Sequence, residues 1–335
     1  MGNILLCDLV DGVPSLVVRD HEPAAPGRGD VRYKVHAIGL NRADLLYLDG
    51  AHYVETTYPS RICYEACGIV DAVGEDVSDF TIGDRVSAVP FGNPDYCVGG
   101  EWAITPAAFL APWPEDFSAA EGAATWMQYM TGYFPLVEGA RVRPGDNVLI
   151  TAASSSAGVA AIQLTKLMGG IAIATSRTDG KRDFLIDMGA DHVVVTEKGH
   201  VAEHVLDVTG GTGVRIVYDA IAGSFMNQYA DALAREARIF VYGALDGEAK
   251  LECDILPLVR KGATIEAYSL FNHMMDPGAV DRGRRFLMLA INAGALRPVV
   301  DRIFPFDRAR EAYDYMKSGV QKGKIILRTR SEQNI

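Results

Sequence analysis

The chain has no paired cysteine spacing, no run of lysine or arginine and no apolar stretch of membrane-spanning length, and each absence removes a class of function. Its five cysteines, Cys7, Cys63, Cys67, Cys97 and Cys253, are odd in number and scattered. Neither a disulfide framework nor a zinc ribbon is predicted, and the thiols are expected to be reduced. With 32 Lys and Arg against 43 Asp and Glu the formal charge is −11, which disfavours contact with phosphate backbones, so nucleic acid is not expected as a partner. The opening MGNILLCDLV lacks the charged lead and long apolar core of a secretory signal, and Leu6 stands where a myristoylation site needs Ser or Thr. A soluble, cytoplasmic protein without membrane contact is expected.

What is present is ordinary in amount and ordered in pattern. The chain has 335 residues, 49% of them hydrophobic and 22% charged, which exceeds the size at which one core keeps growing and predicts two lobes. The first third carries short β-type runs, VRYKVHAIGL, CGIVDAVG, GDRVSAV and EWAITPAAFLAPWP, separated by turn residues. Pro112 and Pro114 then punctuate the chain, and Ser118 with Glu121 three residues on forms a helix-starting capping box, which sets the first lobe boundary. From Asp146 the pattern becomes strand, small-residue turn, helix, and it repeats through IAIATS, HVVVT, RIVYDAIAG and RIFVYGAL. That alternation predicts an α/β lobe with a doubly wound parallel sheet of Rossmann type. After another helix and the strand ATIEAYSL, the terminal KIILRT reads as a return to the first lobe.

The segment with most chemistry is the turn Ser154, Ser155, Ser156, Ala157, Gly158, Val159, delivered by the apolar strand VLIT and opening a helix. Small residues let backbone amides approach a diphosphate, and the helix start supplies unpaired N–H groups. Of the usual glycine triplet only Gly158 is kept, so a simple helix cap is the competing reading. At the end of the next strand no acidic residue is placed to bind ribose hydroxyls. Ser176, Arg177 and Lys181 gather there instead, a set suited to a 2′-phosphate and therefore to NADP(H). Asp219 and Gly243 end later strands of this lobe, and Phe271 and Asn272 follow the next one, places where a parallel sheet opens onto its ligand.

The runs GLNRADLLYLDG, YEACGIVDAVGEDVSDFTIGDRV, ITAASSSAGVAAIQLTK, LIDMGADHVV, VTGGTGVRIVYDAIAG and GKIILR span almost all of the chain. In these runs it resembles the zinc-independent quinone oxidoreductase (zeta-crystallin-like) branch of the medium-chain dehydrogenase/reductase superfamily. The resemblance implies a GroES-like β-rich catalytic domain from residues 1–121 and 269–335, a Rossmann domain at 122–268 inserted in it, and a cleft that holds nicotinamide against substrate. It places Asn41 and Tyr64 where zinc alcohol dehydrogenases of the superfamily carry a cysteine and a histidine ligand; neither residue is a zinc ligand, so no metal is expected.

By the same resemblance Asn41 polarises the substrate carbonyl, and Trp126 and Tyr129, which precede Thr131 of the family's helix, wall the substrate pocket. Asp44 is expected to hold its loop through backbone hydrogen bonds. Leu48 replaces the family's arginine, so the family's contacts there do not carry over, and Tyr47 and Tyr64 are expected in the pocket as this chain's own residues; Lys324 of GKIILR is expected at the cofactor. The family's tyrosine after this motif is replaced by His52 with Tyr53 following, which leaves the proton donor open between these two and solvent. The implied activity is NADPH-dependent reduction of a quinone or an α,β-unsaturated carbonyl compound. Metal-free alcohol or ketone chemistry, and a crystallin-like NADPH-binding protein of low turnover, are the alternatives. A homodimer joined at the Rossmann sheet edge is also implied.

Overall fold

The computed structural model describes residues 2–247 and 249–331. By its internal contacts the chain divides into two units: one runs up to Met127 and resumes at Arg297, and the other is Gln128–Leu296.

In the first unit the segment Asp30–Gly39 is the organising strand. It pairs antiparallel with Glu65–Val73, Trp102–Pro106 and Lys324–Arg328, within a seven-stranded sheet whose other members are Val300–Pro305, Arg85–Ala88 and Leu110–Pro112. A three-stranded sheet of Val13–His21, Gly2–Val10 and Ser60–Arg61 completes it. Val31, Tyr33, Val35, Ile38, Ile325 and Leu327 are all buried in one core, each large aliphatic contributing about 1.5–3 kcal/mol by leaving water. The register sets Gly39 opposite both Glu65 and Ile326, which brings Asn41, Glu65 and Lys324 to one end of the sheet. Gly39 is required there: a Cβ would lie 2.3 Å from the Ala123 carbonyl oxygen and 2.8 Å from the Glu65 carboxylate.

The second unit holds a six-stranded parallel sheet. In chain order the strands are Asn147–Ile150, Ile171–Ser176, His192–Val195, Val214–Asp219, Leu233–Val241 and Thr264–Ala267, and in space they run third, second, first, fourth, fifth, sixth. This is the Rossmann order, with its reversal between the first and fourth strands. The strands read as near-continuous apolar runs because helices cover both faces. Leu149, Ile173, Val217 and Ile239 pack on one face with Val201, Val205 and Tyr229.

The expected second boundary at 268/269 moves to 296/297. The reason is packing: helix Pro277–Asn292 lies against the helical turns at 130–139, with Phe286 against Tyr133 at 5.3 Å between ring centroids and Arg282 paired with Glu138 at 2.9 Å. The first boundary falls a few residues later than the Ser118 cap, which is present as expected with its hydroxyl accepting from the Glu121 N–H.

Candidate functional site

Two regions gather the residues singled out above, one in each unit. In the second unit the first strand delivers Thr151, whose hydroxyl donates to Asp219 at 2.8 Å and accepts the Ala220 N–H. Asp219 is fully buried and also takes the Tyr229 hydroxyl and the Ile221 N–H. It fastens the exit of the fourth strand to that of the first, a scaffolding task for a residue expected beside the ribose. The turn then runs through half-buried Ser154–Ala157 into helix Ser156–Leu167. Ser155 is the N-cap, its Oγ accepting the Gly158 N–H at 3.1 Å, while the first amides of the helix have no intrahelical acceptor. Gly158 itself admits no side chain, since a Cβ would sit 2.5 Å from the Ala153 carbonyl oxygen. The one glycine kept from the usual triplet is the one that lets the helix close down on the strand.

Beside this turn the Lys181 ammonium donates to the Ser154 Oγ at 2.9 Å, joining the serine turn to the residues expected to choose between cofactors. Arg177 is exposed directly after the second strand. Ser176 is buried and its hydroxyl donates to the Thr178 carbonyl at 2.8 Å, so it shapes the loop. One carboxylate escaped the sequence reading. Asp179 lies in the turn after the second strand, but it pairs with Arg182 at 2.8 Å, and that guanidinium holds its carboxyl below the usual range. Gly243 follows the fifth strand by two residues, and Phe271 and Asn272 lie in helix Leu270–Met274.

The region in the first unit is closed. Asn41 precedes helix Arg42–Leu48, and its N–H donates to the Asp44 carboxylate at 2.8 Å. Its side-chain amide donates to the Gly39 carbonyl and to Glu65, each at 3.2 Å, and its Oδ1 accepts from the Lys324 ammonium at 2.7 Å. Both amide hydrogens and the oxygen are thus engaged within the unit, the arrangement of a structural asparagine, and the role of carbonyl polariser finds no spare donor here. Lys324, assigned above to the cofactor, is instead fully buried, ion-paired to Glu65 as well as bonded to Asn41. Glu65 also accepts the Met127 N–H at 2.9 Å. The sequence reading passed over Glu65 as a neighbour of Tyr64. The signal was a carboxylate at the start of a buried apolar strand, which demands a cation, and Lys324 opens the other strand of that register.

Asp44 is buried, and that burial pushes its carboxyl up to about 7 against the Asn41 amide, Lys324 and Tyr313, which favour the charge. Tyr47 is tied down: its hydroxyl accepts the Thr57 N–H at 3.1 Å and its carbonyl accepts from Thr56, so it holds the 47–57 loop together. In that loop His52 stacks on Tyr53 with 4.3 Å between centroids. The His52 Nδ1 accepts the Val54 N–H, which leaves the imidazole proton on Nε2, and burial lowers its pKa. At neutral pH His52 is a neutral donor, while Tyr53 is 67% exposed. Burial pushes the Tyr64 phenol far up, so it stays protonated. Trp126 and Tyr129 are fully buried, and the Tyr129 hydroxyl is spent on Gln163 at 2.6 Å. They are core aromatics. Among the described residues no three His, Cys, Asp or Glu side chains are grouped to hold a metal ion.

Residues 27–132 match the alcohol dehydrogenase GroES-like domain and residues 157–283 the zinc-binding dehydrogenase domain. A 2-haloacrylate reductase of a Burkholderia species is 30% identical over 94% of this chain and 96% of its own length. A pig (Sus scrofa) quinone oxidoreductase is 27% identical over 90% of each chain. Among solved structures, a mycobacterial protein complexed with NADPH superposes with a TM-score of 0.87 at 26% identity, over 98% of this chain and all of its own.

Proposed function

Because the chain belongs to the quinone oxidoreductase branch of the medium-chain dehydrogenase/reductase superfamily, we propose that it spends NADPH on reducing a quinone or the activated double bond of a small unsaturated carbonyl compound, without zinc. The observation that carries this reading is the joined pair of anion-binding features in the second unit. A capped helix start with free amides stands beside the Lys181 and Ser154 contact, with Arg177 exposed at the end of the second strand. These fit a dinucleotide bearing a 2′-phosphate: the Ser154–Val159 turn takes the diphosphate, and Arg177 with Lys181 takes the extra phosphate.

When bound, the reduced nicotinamide supplies a hydride to the electrophilic carbon of the acceptor. The chain's share is to hold the dinucleotide by its phosphates and to exclude water. The electron pair left on the acceptor's oxygen then needs a donor. With the Asn41 amide hydrogens occupied, the Nε2–H of His52 and the Tyr53 hydroxyl are the donors we assign, and solvent restores their protons. Zinc independence rests on ligand chemistry, since Asn41 and Tyr64 replace soft or imidazole ligands. The named activities of the relatives, on a haloacrylate and on quinones, share an electron-poor double bond conjugated to a carbonyl group.

The test is NADPH consumption with 2-chloroacrylate, 1,4-benzoquinone, a simple enone and a simple ketone, before and after exhaustive chelation. Turnover of the conjugated acceptors, untouched by chelation, is expected. Turnover of the ketone alone, or loss with the chelator, overturns the reading; tight NADPH binding with no turnover of any acceptor makes the protein a binder. We also propose a cytoplasmic homodimer. Thr264–Ala267 is the last strand of its sheet, and beside it helix Ile255–Lys261 leaves Ile255, Leu256 and Val259 each at least 60% exposed, an edge suited to pairing with a second copy. A monomer mass in light scattering at all concentrations overturns this part.

A further inference from the structure

The fourth, fifth and sixth strands of the second unit each carry a tyrosine within one residue of their end. Tyr218 lies one residue before Asp219, Tyr242 one before Gly243, and Tyr268 just ahead of the helix that carries Phe271 and Asn272. The backbone ladder continues through them: the Tyr242 N–H donates to the Asp219 carbonyl at 2.9 Å and the Tyr268 N–H to the Val241 carbonyl at 2.8 Å. The rings of Tyr218 and Tyr242 stack at 4.1 Å between centroids and 21° between planes. All three hydroxyl oxygens are buried and none makes a well-aligned hydrogen bond to a protein group among the described residues, although the Tyr218 and Tyr242 hydroxyls lie near enough to act on each other as weak partners. Tyr218 and Tyr268 are buried as whole residues. The phenols also feel one another, for Tyr242 and Tyr268 add to burial in pushing Tyr218 up.

One orphan hydroxyl in a folded core is tolerable. Three on adjacent strand ends carry a desolvation penalty of about 1–3 kcal/mol each if nothing satisfies them. A bound water typically makes about three hydrogen bonds to otherwise unsatisfied buried groups, and three phenols, each able to donate or accept, make such a set.

We propose that Tyr218, Tyr242 and Tyr268 form a buried water-binding site that fastens together the three strand exits facing the cofactor, making these tyrosines positioning residues for NADPH. The site lies within one unit and needs no substrate. Its effect on NADPH rests on the reading under Proposed function; its occupancy and its effect on stability do not. Tyr218→Phe, Tyr242→Phe and Tyr268→Phe keep the rings and remove one hydroxyl each.

If a water is held there, the sign is diagnostic. Each variant strips that water of a partner and lowers Tm by several degrees; Tyr268→Phe is the deciding one, because the Tyr218 and Tyr242 hydroxyls can also act on each other, whereas deleting a truly unsatisfied hydroxyl at Tyr268 leaves Tm unchanged or raises it. The expected results are an ordered water within hydrogen-bond reach of all three hydroxyls in a high-resolution crystal structure of the ligand-free protein, a lower Tm for each variant, and a several-fold higher KM for NADPH with kcat unchanged. Tyr33→Phe in the other unit removes a buried hydroxyl bonded to Thr105 and serves as control, losing stability without moving KM. An empty site, or variants at least as stable as the wild type, overturns the proposal. A water present with KM unmoved overturns the positioning role. Failure of the wild-type protein to bind NADPH sinks the cofactor reading alone, and the water and Tm results still decide the site.

Discussion

The serine turn of the second unit and the asparagine cluster of the first are both polar, both set at the ends of strands and both built around a lysine, yet they differ in what is left over. Around Ser154–Gly158 the helix amides, the serine hydroxyl hydrogens and an exposed Arg177 retain capacity for a ligand. Around Asn41 every polar atom of the side chain is matched inside the unit, with Lys324 and Glu65 buried as an ion pair. Unspent hydrogen-bonding capacity at a surface is what the proposed cofactor site requires, and spent capacity in a core is what a scaffold requires. The same residue type therefore carries opposite roles: Lys181 faces the turn, and Lys324 locks a scaffold.

The strongest way to break that contrast is Glu65→Ala. If the cluster is scaffold, the variant leaves the Lys324 ammonium buried without its carboxylate, and losing one member of a buried pair costs about 3–5 kcal/mol. The expected outcome is a large fall in the urea midpoint, with much of it regained in the double variant Glu65→Leu, Lys324→Met, which removes both charges. A Glu65→Ala protein of wild-type stability with impaired turnover would instead make the cluster catalytic.

Asp44 sharpens the same point through pH. Its folded pKa of about 7 lies above the usual 3.8, so the folded state holds a proton that the unfolded chain has released. Its contribution to stability is complete below pH 4 and is lost as pH rises toward 7. The slope in that window is about 1.4 kcal/mol per pH unit. Asp44→Asn keeps an acceptor for the Asn41 N–H and cannot titrate. Subtracting its urea-derived stability profile from that of the wild type is expected to return this slope, and a flat difference would show that the carboxyl is charged throughout.

The fold was legible because its evidence is periodic. Alternating apolar strands and helices with small-residue turns specify a parallel sheet wherever they occur, and the Ser118 and Glu121 capping box is a purely local device that formed as read. The helix start at Gly158 was legible for the same reason, since it and the strand beside it lie within one short stretch of chain. The Asn41 cluster was not, because it joins positions 41, 65 and 324 through sheet register, and the sequence pattern carries no distance between them. The boundary at 297 was missed because whether helix Pro277–Asn292 packs on residues 130–139 depends on matching surfaces that periodicity does not encode. The three strand-end tyrosines carry no signal in the sequence, because which buried hydroxyls lack a well-aligned partner depends on packing that strand patterning does not encode.

A smaller effect tests the open region. Arg177 is exposed, and its side chain makes no hydrogen bond or ion pair among the described residues, so Arg177→Glu is expected to leave Tm unchanged. A charge-assisted contact to phosphate is worth about 1.5–3 kcal/mol, which predicts a rise in KM for NADPH of about ten- to a hundredfold and little change for NADH. An equal response to both cofactors would move the 2′-phosphate away from this arginine and leave the choice between cofactors to the turn.

The smallest effect asks whether the serine turn is a ligand site or only a helix cap. Ser155→Ala removes the acceptor of the Gly158 N–H, and loss of an N-cap costs about 1 kcal/mol, a fall in Tm of a few degrees. Both readings predict that fall, so the decision lies in its response to cofactor. If the turn also grips a diphosphate, Ser155→Ala weakens NADPH as well, and the Tm gap between variant and wild type widens at a fixed NADPH concentration near the wild-type Kd, because stabilisation by a ligand grows with the ratio of its concentration to its Kd. If Ser155 only caps the helix, both proteins gain the same number of degrees from NADPH and the gap stays as it was. Ser155→Thr restores the acceptor at nearly the same place and is expected to close the gap with and without cofactor.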